Sequence, residues 1–331
     1  MSDTPDSLAP PEPTSNLGRN LAVASVIAVL LYAGMLIYGD VGELQGEMGD
    51  YSWSMFALGV ALATANYGIR FLRWQYYLAR LGIEKVPWLE SLRIFVAGFV
   101  MSVTPGKVGE VLKSVLLFES RGVAIARTAP IVIAERLTDL MALVLLAAAG
   151  SLAFSEGWIV ALGGALVVAV LWLACAWRPL GEWCLRVAAK LPVLGRIAPK
   201  LREAYEALRE LTAPAPLAAA TLLSVVSWGL ECLSLLYIAA GFAELTLTLE
   251  EATFSYSAPT IVGALALLPG GLGVTEAGMA SLVARFGETS EATAVATTIL
   301  VRLATLWWAV VLGAFALVWH RRALAARRKA L

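Results

Sequence analysis

Long apolar stretches alternate along this chain with short polar ones whose charge changes sign. Leu21–Tyr38 is apolar and long enough to span a bilayer, and the loop after it is acidic, with Asp40, Glu43, Glu47 and Asp50. Trp53–Leu72 is the next such run and leads into a basic patch of Arg70, Arg73, Arg80, Lys85 and Arg93. Cytoplasmic loops of membrane proteins are enriched in lysine and arginine, so the first loop is expected outside and the second inside. Arg70, Arg73, Arg80 and Lys85 then read as orientation charges at the interface, and Arg73-Trp74 as an interfacial anchor.

The same rule decides the next segment, Ser91–Phe118. If it crossed, Arg121 and Arg127 would lie outside and every later loop would carry the wrong sign. A hairpin that dips in and returns restores the order. Thr128–Phe154 then runs outward to Glu156, and Trp158–Trp177 returns to a basic linker, 178–212, holding Arg178, Arg186, Lys190, Arg196, Lys200, Arg202 and Arg209. Within that linker Leu201, Tyr205, Leu208 and Leu211 recur at helical spacing, which predicts an interfacial amphipathic helix. Leu217–Ala240 goes outward to Glu244, Glu250 and Glu251. A second broken apolar run, Ala252–Phe286, is followed by acidic Glu288 and Glu291, so it too is expected to return. Ala292–Trp319 spans inward to a basic tail, 320–331. The expected fold is an all-α polytopic membrane protein of six spanning helices and two re-entrant hairpins, multi-pass in the cytoplasmic membrane, with both termini cytoplasmic.

Composition agrees: 59% hydrophobic and 15% charged residues, with a mean hydropathy of +0.76, leave too little charge to cover a soluble protein of this length. Lysine plus arginine and aspartate plus glutamate are equal at 25 each, so net charge points to no nucleic-acid partner. Residues 1–18 carry Pro5, Pro10, Pro11 and Pro13 among polar residues and read as a disordered tail, leaving 19–319 as the membrane domain. Cys175, Cys184 and Cys232 lack ligand spacing, and His320 is the single histidine. A metal centre, another cofactor or histidine acid–base catalysis is therefore not expected.

The two breaks carry the candidate chemistry. Pro105-Gly106-Lys107-Val108-Gly109-Glu110 interrupts the first hairpin and Pro269-Gly270-Gly271-Leu272-Gly273-Val274-Thr275-Glu276 the second. An ionised side chain at bilayer depth costs roughly 2.5–3.5 kcal/mol on insertion scales. Broken backbone survives there only where protein buries it or a wet cavity adjoins it. Gly106, Gly109, Gly270, Gly271 and Gly273 permit tight turns, and half-helices starting after each break would present N–H groups to an anion. Lys107, Lys113, Arg136 and Arg302 add cations, with Glu110, Glu135, Asp139 and Glu276 as partners; together these eight form the candidate substrate site. The set suits an anionic or zwitterionic lipid head group. The competing reading is a structural ion-pair cluster of Glu135, Arg136 and Asp139 between helices. Glu231, inside Leu217–Ala240, is a further buried ionisable residue open to either role.

Pro105 precedes Arg136 by nearly the interval at which Pro269 precedes Arg302, and the two sets face opposite ways. This is the pattern of an inverted-topology repeat. The position matching Lys107 in the second hairpin is Gly271, so the half-sites differ chemically.

Pro105–Ser114 (PGKVGEVLKS), Glu135–Leu140 (ERLTDL) and Pro269–Gly278 (PGGLGVTEAG) together resemble the lysylphosphatidylglycerol synthase transmembrane region family, over about Asn20–Trp319. The resemblance implies a flippase-like domain that moves lipid between leaflets, with the eight residues above at its core. In two-domain members a soluble domain makes the lipid; here a stand-alone member without it is expected, and hence no enzyme. The alternative is a non-catalytic partner or scaffold for a separately encoded lipid-modifying enzyme.

Overall fold

The computed structural model describes residues 49–104, 109–151, 158–177 and 198–330, with isolated residues between 178 and 188. The expected first span Leu21–Tyr38, the N-terminal tail, Pro105–Val108 with its Gly106 and Lys107, and part of the basic linker lie outside them.

Among the described residues every regular element is helical. The first long helix, α1 (Trp53–Arg80), is followed by α2 (Trp88–Ala97), which tightens into a 3₁₀ turn over Gly98–Met101. Beyond the first break, α3 (Leu112–Arg121) ends on Gly122 at φ 68°, a left-handed position that suits glycine. The helix α4 (Pro130–Gly150) starts with proline in its first turn, where the missing N–H costs nothing. Then come α5 (Trp158–Ala176), α6 (Ala198–Leu211) and α7 (Pro214–Ala239).

The second hairpin follows. Its α8 (Leu249–Leu265) opens with a reciprocal cap in which Thr248 Oγ1 accepts from the Glu251 N–H and the Glu251 carboxylate accepts from the Thr248 N–H. Glu250 and Glu251, expected in a loop, thus form its first turn. After the 3₁₀ turn Pro269–Gly271, α9 (Val274–Phe286) doubles back along α8. The last two helices, α10 (Glu291–Arg302) and α11 (Trp308–Ala330), are joined end to end by a π turn over Leu303–Trp307. The segment expected as a tail is therefore the end of a helix, with His320 buried.

Among the described residues, three helical stretches are long and apolar enough to cross a membrane: Trp53–Arg80, Pro214–Ala239 and Glu291–Arg327. At 21 residues and 1.5 Å per residue, α4 is about 30 Å long, but Glu135, Arg136 and Asp139 interrupt its apolar character. The predicted amphipathic helix is present as α6, with Ala207 and Leu211 buried against the rest of the protein.

Packing falls into two cores. One joins α4, α7, α8, α9 and α10 around Leu143, Leu235, Ile261, Met279 and Val301; the other joins α1 to α4, α7 and α11 around Trp74, Tyr77, Phe95, Leu116 and Ile131. A small third cluster of Val103, Leu272 and Leu306 lies where the two breaks approach each other. A Cβ added to Gly270 would stand 3.7 Å from the Cα of Val103.

Candidate functional site

Glu110, at the end of the first break, and Lys113 beyond it enter an ionic network. Lys113 Nζ lies 2.6 Å from Glu135 and 3.5 Å from Glu110; Arg136 lies 3.3 Å from Glu110 and 3.2 Å from Asp139. Lys113 is buried at 2% exposure, its ammonium 5.1 Å from the Trp74 ring and 5.4 Å from that of Phe95. Gly98 makes room for it, because a Cβ there would fall 2.6 Å from Lys113 Cγ.

Arg73 corrects the sequence reading. It is 1% exposed, pairs with Asp139 at 2.5 Å and donates to Thr138 at 3.2 Å and to Ser224. Arg70 is also buried, and Trp74 donates its indole N–H to Ser91 rather than anchoring an interface. A basic residue at the end of an apolar run looks the same in sequence whether it reaches headgroups or turns inward; here polar partners on α4 and α7 draw it inward.

At the second break Arg302 lies 2.6 Å from Glu276 and donates to the Gly270 carbonyl at 2.6 Å. Gly270, Gly271 and Gly273 take φ of 62°, 72° and 90°, values that other residues adopt only with strain. The α9 N-terminus has one of its donors already engaged. The Gly273 N–H donates to the carboxylate of Glu276 at 2.7 Å, so a side chain three residues on already fills that position. The Gly109 N–H likewise goes to Thr104 Oγ1 at 3.0 Å.

A third cluster centres on Glu231. Its carboxylate accepts from the Asn66 amide and the Tyr256 hydroxyl, and Asn66 in turn accepts from Ser227.

These clusters border a cavity of about 450 Å³ between the breaks. Arg136, Asp139, Arg302, Gly270 and Gly271 line it, while Glu110, Lys113, Glu135 and Glu276 stand behind as ion partners. Arg70 and Tyr67 are among the further lining residues that the sequence missed; the Asn66/Arg70/Arg73 spacing on α1 was the signal that this helix turns polar groups inward. The remaining wall is largely apolar, including Leu140, Leu143, Val167 and Leu306. At its mouth Ile133, Leu265 and Leu267 are 52%, 43% and 66% exposed.

Long apolar helices, exposed apolar side chains and ion pairs buried in the interior define a multi-pass helical membrane protein. The family of the lysylphosphatidylglycerol synthase TM region matches residues 22–313. The chain belongs to that family, which places it among membrane proteins with a lipid-related role. No curated protein matches it.

Proposed function

We propose that the protein moves a lipid with a charged head group between leaflets, through the cavity between the two breaks. The observation that carries this reading is the cavity's polarity: charged groups on its inner wall and exposed apolar side chains at its mouth. Such a site accepts a head group inside while leaving acyl chains in the bilayer. The α2–α3 and α8–α9 pairs are read as re-entrant hairpins entering from opposite faces, the first from the cytoplasm. With them goes a six-span inverted repeat in the cytoplasmic membrane, termini inside. Support comes from the alternating loop charges, from the shortness of α2 and α3 at 10 residues each, and from the approach of Val103 to Gly270. The charged groups are engaged mainly with one another, which suits binding and release better than bond making; the protein is read as a transporter, not an enzyme.

The test is reconstitution into liposomes with labelled phospholipids and polyprenyl phosphates. Transbilayer movement above that of empty vesicles is expected, and its loss in Arg136→Ala and Lys107→Ala with folded yield retained. No movement for any class overturns transport and leaves the partner role of a lipid-modifying enzyme.

A further inference from the structure

His320, the chain's single histidine, stands one residue past Trp319, where the expected span ends, and is 2% exposed. Its Nε2 lies 3.1 Å from the Ser120 hydroxyl of α3. Ser120 gives its one hydroxyl hydrogen to the Leu116 carbonyl at 2.7 Å, so toward His320 its oxygen can only accept. Nε2 therefore carries a hydrogen. Nδ1 is buried, and among the described residues it has no hydrogen-bond partner. A bare lone pair costs less in that position than a charged N–H with nothing to receive it.

The charges that act on the ring are Arg93 and Glu90 of α2 and Arg321 and Arg327 of α11 itself, while Glu119 and Arg121 flank Ser120 on α3. Both carboxylates are engaged, Glu90 with Arg121 at 2.5 Å and Arg327 at 3.1 Å, and Glu119 with Arg321 at 2.7 Å. Arg93 has its guanidinium carbon 5.0 Å from the Trp319 ring. A proton on His320 would thus add a cation among guanidiniums. Burial, and after it Arg93, hold the imidazole below its ordinary 6.5 against the opposing pull of Glu90. We propose that His320 is a proton-operated latch between α11 and α3. Neutral, it seats the two helices together; once Nδ1 takes a proton from water, the imidazolium leaves the seat and the base of α2 and α3 loosens from α11. With the folded value depressed, the latch is fully closed above 6.5 and opens as pH falls toward that folded value. The inference concerns helix packing and stands whether or not the protein moves lipid.

The full chain, purified in detergent without a histidine tag, is compared with His320→Gln, whose amide can still donate to Ser120 but does not titrate. Because the ring is the only one of its kind in the chain, nitrogen NMR of labelled imidazole reads it without assignment. The expected result is the Nε2–H form at neutral pH and a titration midpoint below 6.5. An Nδ1–H form, or a midpoint at or above 6.5, overturns the proposal. Amide hydrogen exchange then reads the latch. Protection over Leu117–Arg121, corrected for intrinsic rates, is expected to fall in wild type by up to about tenfold per pH unit between roughly pH 6.5 and the midpoint, one proton being taken up on opening. In His320→Gln it is expected to stay level. Equal falls in both proteins, or no fall in wild type while the ring titrates, make His320 a packing residue and overturn the latch. If His320→Gln does not fold, wild type alone decides: loss of protection that tracks the ring's own titration upholds the latch, and loss that does not track it overturns it.

Discussion

At the scale of single residues, the interior is governed by pairing. Asp139 is 4% exposed and sits between Arg73 and Arg136, so neutralising it leaves Arg73 buried without its nearest counter-charge. Breaking such a pair from one side costs about 3–5 kcal/mol, and Asp139→Asn is expected to lower stability by that order in detergent thermal unfolding. Lys113→Met should behave alike, losing folded yield, because Glu135 and Glu110 would both stay buried. Arg136, with a side chain 26% exposed, is the contrasting case: its removal is expected to spare the yield and be read in transport. The residues in these pairs were legible in sequence where they interrupt an apolar run, as Glu110, Lys113, Glu135, Arg136 and Asp139 do. Arg70 and Arg73 were not, because they stand at the end of such a run, and only the neighbouring helices tell interior from interface. The engagement of Gly273 by Glu276 was equally hidden, since a cap depends on which way one side chain folds back.

At the scale of elements, the second hairpin closes on small residues. A Cβ on Gly263 would lie 2.3 Å from Thr275 Oγ1 and 3.2 Å from the Gly271 Cα, and one on Gly278 2.9 Å from Pro259 Cβ. Small residues let helix backbones approach where apolar burial gives no drive between helices in lipid. Gly263→Leu is expected to force α9 away from α8 and to cost about 1–3 kcal/mol or more, measured by unfolding. The first hairpin is held differently, by charges at its base. Glu90 on α2 accepts from Arg121 at 2.5 Å and Arg327 at 3.1 Å, and Arg321 pairs with Glu119 at 2.7 Å. Burial raises the Glu90 pKa, but the Arg121 and then Arg327 guanidiniums outweigh it and hold the carboxyl below its ordinary 4.5. With the folded value depressed, this contribution is full above 4.5 and is lost as pH falls through the folded value. Acidification over that range should therefore lower the melting temperature of wild type more than that of Glu90→Gln. Both Pro-Gly breaks were visible in sequence as interruptions of apolar runs. The part of the base clamp made by Arg321 and Arg327 was not, because it joins residues more than two hundred positions apart.

At the scale of the whole molecule, loop charge sets the direction expected of each segment, and the cavity arises only where segments from both halves meet. One feature ties those halves directly. The α10–π turn–α11 rod holds Gly270 and Glu276 through Arg302 near one end, and near the other reaches Glu119 and Glu90 through Arg321 and Arg327. Between them a Cβ on Gly313 would fall 2.5 Å from the Val100 nitrogen, so the rod also lies flush on the turn of the first hairpin. A π turn is one residue inserted into an α-helix, and each residue turns the helix by about 100°. Inserting one alanine after Trp307 is expected to swing Gly313, Arg321 and Arg327 off their partners and collapse the folded yield. Deleting Leu303, which absorbs the surplus residue, is expected to keep them. The rod is thus a keyed shaft with its phase set at Leu303–Trp307. Any stroke that draws Arg302 away from Gly270 applies torque to a shaft whose far end is bolted to Glu90 and Glu119, so loosening one hairpin loads the other.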